Sequence, residues 1–420
     1  MVEKRKPMPV DQAIAKVMEF RKAGGTEVVS IDRCDGRRLA EPLYTTNPVP
    51  SFNKSPYDGF ALRSCDTEQA SRNNPVEFEI VEHVGAGHVP EKKLEEYQAT
   101  RIMTGAQIPD GADCVAMFEI CSEIKRNGKD FISLKRTMES GQNVVKKASE
   151  IGEGKELVRK GSLINPGVKA LLATFGYQTV HVMKKPIVGI FATGSELLDV
   201  DAELEPGKIR NSNAYMIMSQ IKRAGGDPHY FGKLDDELES SFQAIAESID
   251  KVDFLITTGG VSVGDFDLMP AIYEKLHATV LFNKVAMRPG SVTTVTALQD
   301  KLLFGLSGNP SACYVGFELF VRPILQTFLM NDTPLLKRSK AILTDDFPKP
   351  NPFTRFVRGI LSIEDGQVRV SPAGIDKSNV VTSLAFTNGL MVLPGGTRGY
   401  NKGAIVDVLW LDQMEGQTTF

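Results

Sequence analysis

The sequence predicts a multidomain chain of the α/β plus β kind, in which a doubly wound, mostly parallel α/β domain is flanked by β-rich modules. Three observations predict it. At 420 residues the chain exceeds what one compact core holds and should divide into two to four domains. Between 186 and 332, short and almost wholly apolar runs (PIVGIF, DFLITT, KLLFGL) each enter a loop rich in Gly, Ser or Thr, and helical patterns follow. Such alternation argues for a parallel sheet covered on both faces. On either side the pattern changes to short alternating strands broken by Gly, Pro and Asn.

The elements follow in order. Pro9 suits an early helix turn, Val10, Ile14, Val17 and Met18 share one face, and Gly24-Gly25 end the pattern. Runs such as VEFEIVEHV and KDFISL mark 27–154 as a β-rich module. A second helix is expected over 166–175, with Asn165 as N-cap and Gly176 as its stop, leading into the strand QTVHVM. The segments 7–26 and 155–185 are therefore read as one split scaffold, helical and extended, interrupted by the β-rich insert. Within the α/β domain, 186–332, helices are expected over 213–224, 238–249 and 311–329. The tail, 333–420, returns to short strands (AILTDDF, RFVRGIL, QVRVSPA, GLMVLP) and reads as a small β-barrel or sandwich.

Composition narrows the function classes. Forty-nine basic and 52 acidic residues leave a net charge of −3, so the whole chain carries no footprint for nucleic acid or for an acidic membrane. No apolar run approaches the roughly 20 residues that span a bilayer, and the opening MVEKRKPMPV has no signal-peptide core. The expectation is a cytoplasmic protein. Five scattered cysteines without a C-x-x-C pair, and five histidines without an H-x-x-x-H pair, argue against a zinc site; a metal here should sit on oxygen ligands.

In an open parallel sheet, ligands bind beyond the carboxyl ends of the strands. Three loops fall there. In TTGGVSVGDFD (257–267), Gly259, Gly260 and Gly264 let backbone N–H groups approach an anion. The spacing imitates a P-loop, but Asp265-Phe266 stands where Lys and Ser or Thr would be, so Asp265 and Asp267 point to a divalent cation meeting phosphate charge. Glu196 in ATGSE and Asp235-Asp236 lie at two further strand ends, although each could equally cap a helix. SGNPS (307–311) opens a helix, with Asn309 before Pro310. Lys284 and Arg288, in NKVAMRPG, are placed to meet an oxyanion or to be a solvated strand end. In the β-rich module, SFNKSPYDGFAL and RIMTGAQIPDGADCV hold turn signals around Asp58 and Thr104, the first unusually aromatic for a bare turn.

Taken in order, SPYDGFA, RIMTGAQIP, GQNVVKKASEI, FATGSEL, TTGGVSVGDFD and GLSGNPSA resemble the molybdopterin molybdotransferases, a family to which a domain of animal gephyrin is related. The resemblance runs from about Met8 to the carboxyl end. It implies insertion of molybdenum from molybdate into adenylyl-molybdopterin, with release of AMP and a requirement for magnesium. It also implies a homodimer whose cleft joins the α/β domain of one subunit to the β-rich domain of the other. Molybdopterin adenylyltransferase and molybdoenzyme maturation proteins are the partners it suggests. Carried over by motif, Asp58, Thr104, Glu150, Glu196, Asp236 and Asp267 are the functional residues, with Glu196, Asp236 and Asp267 around magnesium. Gly259, Gly260, Asp265, Asn309 and Pro310 surround the nucleotide and diphosphate, and Lys284, Arg288, Arg358 and Ser383 (or Ser378) the molybdate. The chain departs from the family pattern at Glu150 (commonly Asp), Arg288 and Ser291 (commonly Lys) and Ser307 (commonly Pro). Two rival readings remain, an adenylyltransferase, whose fold alone accounts only for 186–331, and a scaffold protein.

Overall fold

A computed structural model describes residues 6–260 and 268–411. Its centre is a six-stranded sheet in the order Asp227–Leu234, Ile187–Thr193, Phe254–Thr258, Lys301–Leu306, Thr294–Leu298, Thr279–Phe282. The first four strands are parallel, and the last two join by antiparallel pairing. Successive side chains on a strand point to opposite faces, and here both faces are covered. Val188, Ile190, Phe254, Ile256, Leu302 and Phe304 enter one core, with the helix Ser212–Arg223 and the helical run that starts at Pro310. Phe191, Leu255 and Leu303 enter the other, against the helices Leu238–Ile249 and Met269–Lys275. This two-sided burial is why these strands read as unbroken apolar runs. The run from Pro310 to Phe328 is interrupted by one wider π-helical turn at Phe317–Val321.

The β-rich unit is a second six-stranded sheet, ordered Cys114–Met117, Gly59–Leu62, Gln98–Ile102, Val76–Val84, Lys129–Leu134, Cys121–Arg126, over a core of Phe60, Phe78, Ile132 and Leu134. The carboxyl-terminal unit is a closed five-stranded barrel. Thr354–Glu364 pairs with both Gln367–Pro372 and Gly389–Leu393, and Arg338–Leu343 and Ile405–Trp410 complete the circuit. Closure removes the exposed edges that a sandwich would keep.

The scaffold differs from the sequence reading in two respects. Thr26–Ser30 pairs antiparallel with Thr179–Met183, Leu43–Tyr44 pairs with Glu156–Val158, and Leu39, Leu43, Ile164, Leu172 and Val182 form one core. Residues 26–44 thus pack with the scaffold, although their local pattern resembles the insert, because strand pattern does not reveal a partner distant in sequence. The helix Val10–Met18, in turn, buries Ala13 and Val17 in the α/β core rather than against 155–185. It is followed by a close approach at Gly24, where an added Cβ would lie 2.1 Å from a Phe328 ring carbon.

Candidate functional site

The loops beyond Thr193, Leu234, Thr258 and Leu306 enclose a cleft of about 880 Å³ at the carboxyl edge of the parallel strands. Glycines allow the loops to meet. Gly259 and Gly260 have φ of 90° and 63°, and a Cβ on Gly259 would stand 2.6 Å from Thr193 Oγ1 and 2.7 Å from its carbonyl oxygen. The Gly259 N–H donates to the Leu306 carbonyl (2.9 Å), and Asn213 Nδ2 donates to that of Gly308 (2.8 Å). The charged side chains lining this cleft, among the described residues, are all carboxylates: Glu196, Asp235 and Asp236. Neither capping alternative holds. No helix follows Glu196, whose carbonyl instead accepts from Ile209 N (2.9 Å) at the short pairing of Leu197–Leu198 with Ile209–Arg210. The helix Leu238–Ile249 is capped by Glu237, which accepts from Ser240 N at 2.8 Å, while the Asp235 carbonyl is fixed by Ser241 Oγ at 2.7 Å.

A second pocket of about 470 Å³ shares Val292, Ser307 and Asn309 with the cleft but has the opposite charge. Arg288, Arg355 and Lys377 line it, with Asp376 as its one carboxylate. Its wall is a junction between two domains. Met287–Arg288 pairs in parallel with Thr354–Arg355, which sets Arg288 directly opposite Arg355. The barrel loop is tied to the start of the helix Pro310–Gly316, where Ser311 N donates to Ser378 O (3.0 Å) and Ser311 Oγ to Val380 O (2.6 Å). Like charges facing each other across strands are destabilising, and only part of the repulsion is balanced. Asp376 accepts from Arg355 Nη1 (2.7 Å) and Arg358 Nη1 (3.0 Å), while the buried Nε of Arg355 has no hydrogen-bond partner. The lining therefore carries a net positive charge.

Glu196, Asp236, Gly259, Gly260 and Asn309 are therefore brought into one cleft, and Arg288 and Asn309 into the adjoining pocket. Pro310 begins the helix behind Asn309. Arg358 does not face the anion pocket as expected. It is 2 % exposed, and its donors go to Asp376, the carbonyls of Ile375 (3.1 Å) and Lys377 (3.2 Å) and the buried Ser383 hydroxyl (3.4 Å). Burial lowers the pKa of its guanidinium, against the opposing pull of Asp376. Arg358 and Ser383 thus hold the 375–377 loop in place. Lys284 is half-buried, lies outside both linings, and gives its carbonyl to Met8 N (2.9 Å). Sequence reasoning missed Arg355 and Lys377; the available signal was the basic TRFVRG strand, in which Arg358 was the arginine chosen.

Asp58 and Thr104 meet on the surface of the β-rich unit, outside the cleft of their own chain. Asp58 Oδ1 accepts from both Thr104 N (2.7 Å) and Thr104 Oγ1 (2.9 Å), and these two bonds hold its carboxyl below the usual carboxylate range. Glu150 is exposed on the same unit, its N–H on the Val49 carbonyl (3.0 Å). Asp265 and Asp267 lie outside the described residues. Cys313 is buried in its helix, and burial pushes the thiol pKa up, which disfavours the thiolate.

The cleft also fits a hard divalent cation. Glu196 and Asp236 offer carboxylate oxygens, and no three Asp, Glu, His or Cys side chains converge among the described residues. One or two carboxylates beside substrate oxygens is the donor set that suits magnesium.

Residues 8–176 match the MoeA N-terminal region (domain I and II), residues 189–327 a "probable molybdopterin binding domain", and residues 340–411 the MoeA C-terminal region (domain IV). Fold and family matches thus place the central domain in the molybdopterin-binding α/β class, with a β-barrel following it. The chain is 59% identical to a molybdopterin molybdenumtransferase of Bacillus subtilis, over 99% of this chain and 97% of that one. It is 46% identical to one of Staphylococcus aureus, over 97% of each. The crystal structure of a molybdopterin biosynthesis MoeA protein from Pyrococcus horikoshii superposes with a TM-score of 0.86 at 30% identity, covering 97% of this chain and all of that one. The chain belongs to the molybdopterin molybdenumtransferase family.

Proposed function

We propose that the protein takes adenylylated molybdopterin and molybdate, releases AMP and yields molybdenum cofactor, working with magnesium as a homodimer. Family membership makes the coarser part plain: the chain is a transferase of molybdenum-cofactor biosynthesis that inserts molybdenum into molybdopterin. The single observation that carries the finer reading is the charge division between the adjoining pockets. A carboxylate-lined cleft repels a diphosphate unless a cation accompanies it, whereas Arg288, Arg355 and Lys377 receive an oxyanion directly.

In this reading, Gly259 and Gly260 let the backbone come close to the diphosphate, and Asn309, ahead of the helix from Pro310, lies on the wall common to both pockets. Glu196 and Asp236 would hold magnesium, which when bound neutralises charge on the diphosphate as a Lewis acid. Asp267 and Asp265 join them by sequence position. Arg288, Arg355 and Lys377 keep molybdate next to that wall, and Arg358 with Asp376 fixes the loop that presents Lys377. Asp58 and Thr104 position the pterin end from the partner subunit, a role that fits their exposure and their distance from the cleft lining of their own chain. Neither covalent catalysis nor a cysteine is needed.

The test is AMP release from adenylyl-molybdopterin by purified protein with magnesium, with and without molybdate. Molybdate-stimulated release, with molybdenum appearing on the pterin, is expected. Folded dimer that leaves the substrate intact would overturn the reading in favour of a scaffold role, and adenylylation of molybdopterin from ATP would favour an adenylyltransferase.

A further inference from the structure

A cavity of about 620 Å³ lies at the opposite end of the α/β sheet from the cleft. Its position follows from topology. Lys185 precedes the strand Ile187–Thr193, and Ala224-Gly225 precede Asp227–Leu234, so the cavity borders the amino ends of the strands whose carboxyl ends form the active cleft. A strand of this length spans about 20 Å at roughly 3.3 Å per residue. The scaffold supplies another wall through Arg37 and Arg38, and the segment into the barrel supplies Lys337.

The lining is strongly unbalanced. Seven Lys and Arg residues line the cavity against one acidic residue, Asp35, which already holds Lys169 at 2.6 Å. In a chain of net charge −3 this is a concentration of one sign that composition does not produce by itself. Some of these cations are neutralised: Arg37 pairs with Glu27, and Arg223 with Glu318. Arg322 sits 3.9 Å from Glu318 and donates to the Pro334 carbonyl at 3.2 Å. Arg38, Lys185, Lys222 and Lys337 have no carboxylate within 4.0 Å among the described residues; Arg38 donates only to the Gly161 carbonyl (2.8 Å). Burial lowers the Arg38 pKa, Asp332 opposes that, and the neighbouring Arg322 charge adds to it. Four cations without a close ion-pair partner around one partly enclosed space repel one another, Arg38 less so for the more distant Asp332, and an anion between them relieves the repulsion.

We infer that this cavity is a binding site for a small polyanion carrying two or more phosphate groups, held by Arg38, Lys185, Lys222 and Lys337. The volume exceeds what a single oxyanion fills, and cations contributed by four separate segments match charge spread along a short chain of phosphates. Because it borders the far edge of the sheet, the site does not hold the reacting diphosphate. It is independent of the function proposed above.

The experiment is calorimetric binding of inorganic tripolyphosphate, with orthophosphate as the single-phosphate arm at matched ionic strength, to the full-length protein. The variants are K185Q/K222Q/K337Q, K185R/K222R/K337R and, for the active-site pocket, Arg355→Gln. Tripolyphosphate should bind more tightly than orthophosphate. The glutamine triple variant should weaken it at least tenfold, while the arginine triple variant and Arg355→Gln leave it within about threefold. The lysines are exposed, so an unchanged melting transition is expected in both triple variants. Absence of tripolyphosphate binding, or equal loss in Arg355→Gln and the glutamine triple variant, or no loss in the glutamine triple variant, overturns the assignment.

Discussion

The acid-lined cleft and the base-lined pocket share Val292, Ser307 and Asn309, yet they are built in different ways. The cleft belongs to one domain. Its loops follow four parallel strands, and its carboxylates stand on turns fixed within that domain, as Ser241 fixes Asp235. The pocket exists only because a barrel docks on that domain, through the pairing of Arg288 with Arg355 and the contact of Ser311 with Ser378. The difference teaches how, on the proposed reading, one site would handle two anions. A diphosphate over carboxylates would depend on an accompanying cation, while an oxyanion among arginines would be met by charge the protein itself carries. Positions 288, 291 and 307, noted with the resemblance as departures, all line the basic pocket, where Arg355 and Lys377 supply charge from the barrel.

If that division is right, substitutions on its two sides should separate. The largest effect is expected for Asp236→Asn, which should lower AMP release about a hundredfold, roughly 2.7 kcal/mol. Its magnesium requirement should rise and its molybdate requirement stay put, read by steady-state kinetics at varied metal. Next is Arg355→Gln, for which the molybdate concentration giving half-maximal stimulation should rise about thirtyfold, or ~2 kcal/mol, at unchanged magnesium requirement. Arg358→Gln should do so by about tenfold through the loop it holds, and amide exchange should show 375–377 less protected than in the unsubstituted protein.

The smallest effect concerns the β-rich unit. The Asp58 carboxyl lies below its ordinary 3.8 because two Thr104 groups donate to it. A depressed carboxylate keeps its contact above the unfolded value and loses it as pH falls through the lower folded value, so the pair should persist across the neutral range and fail only below 3.8. An NMR titration of Asp58 should show a midpoint under 3.8, moving part of the way back in Thr104→Ala, which removes the hydroxyl but keeps the backbone donor.

Legibility in the sequence followed the same line between local and non-local structure. The strand, loop and helix units of the α/β domain carry their own signals, so Glu196, Asp236, Gly259, Gly260 and Asn309 could be named from pattern and resemblance, and they converge. Arg355 could not be separated from Arg358 in TRFVRG, since which arginine lines the pocket depends on pairing with a strand far away in the chain. The inner boundary of the scaffold was not legible for the same reason: Thr26–Ser30 finds its partner at Thr179–Met183, and no local period records that register. Helix Val10–Met18 showed a clear apolar face, but a face does not say which core receives it.

The most direct test is a two-way titration of magnesium and molybdate on AMP release by the unsubstituted protein, Asp236→Asn and Arg355→Gln. The account predicts that Asp236→Asn shifts the magnesium axis alone and Arg355→Gln the molybdate axis alone. If either variant displaces both axes equally, or neither displaces any, the two pockets do not divide the anions between them.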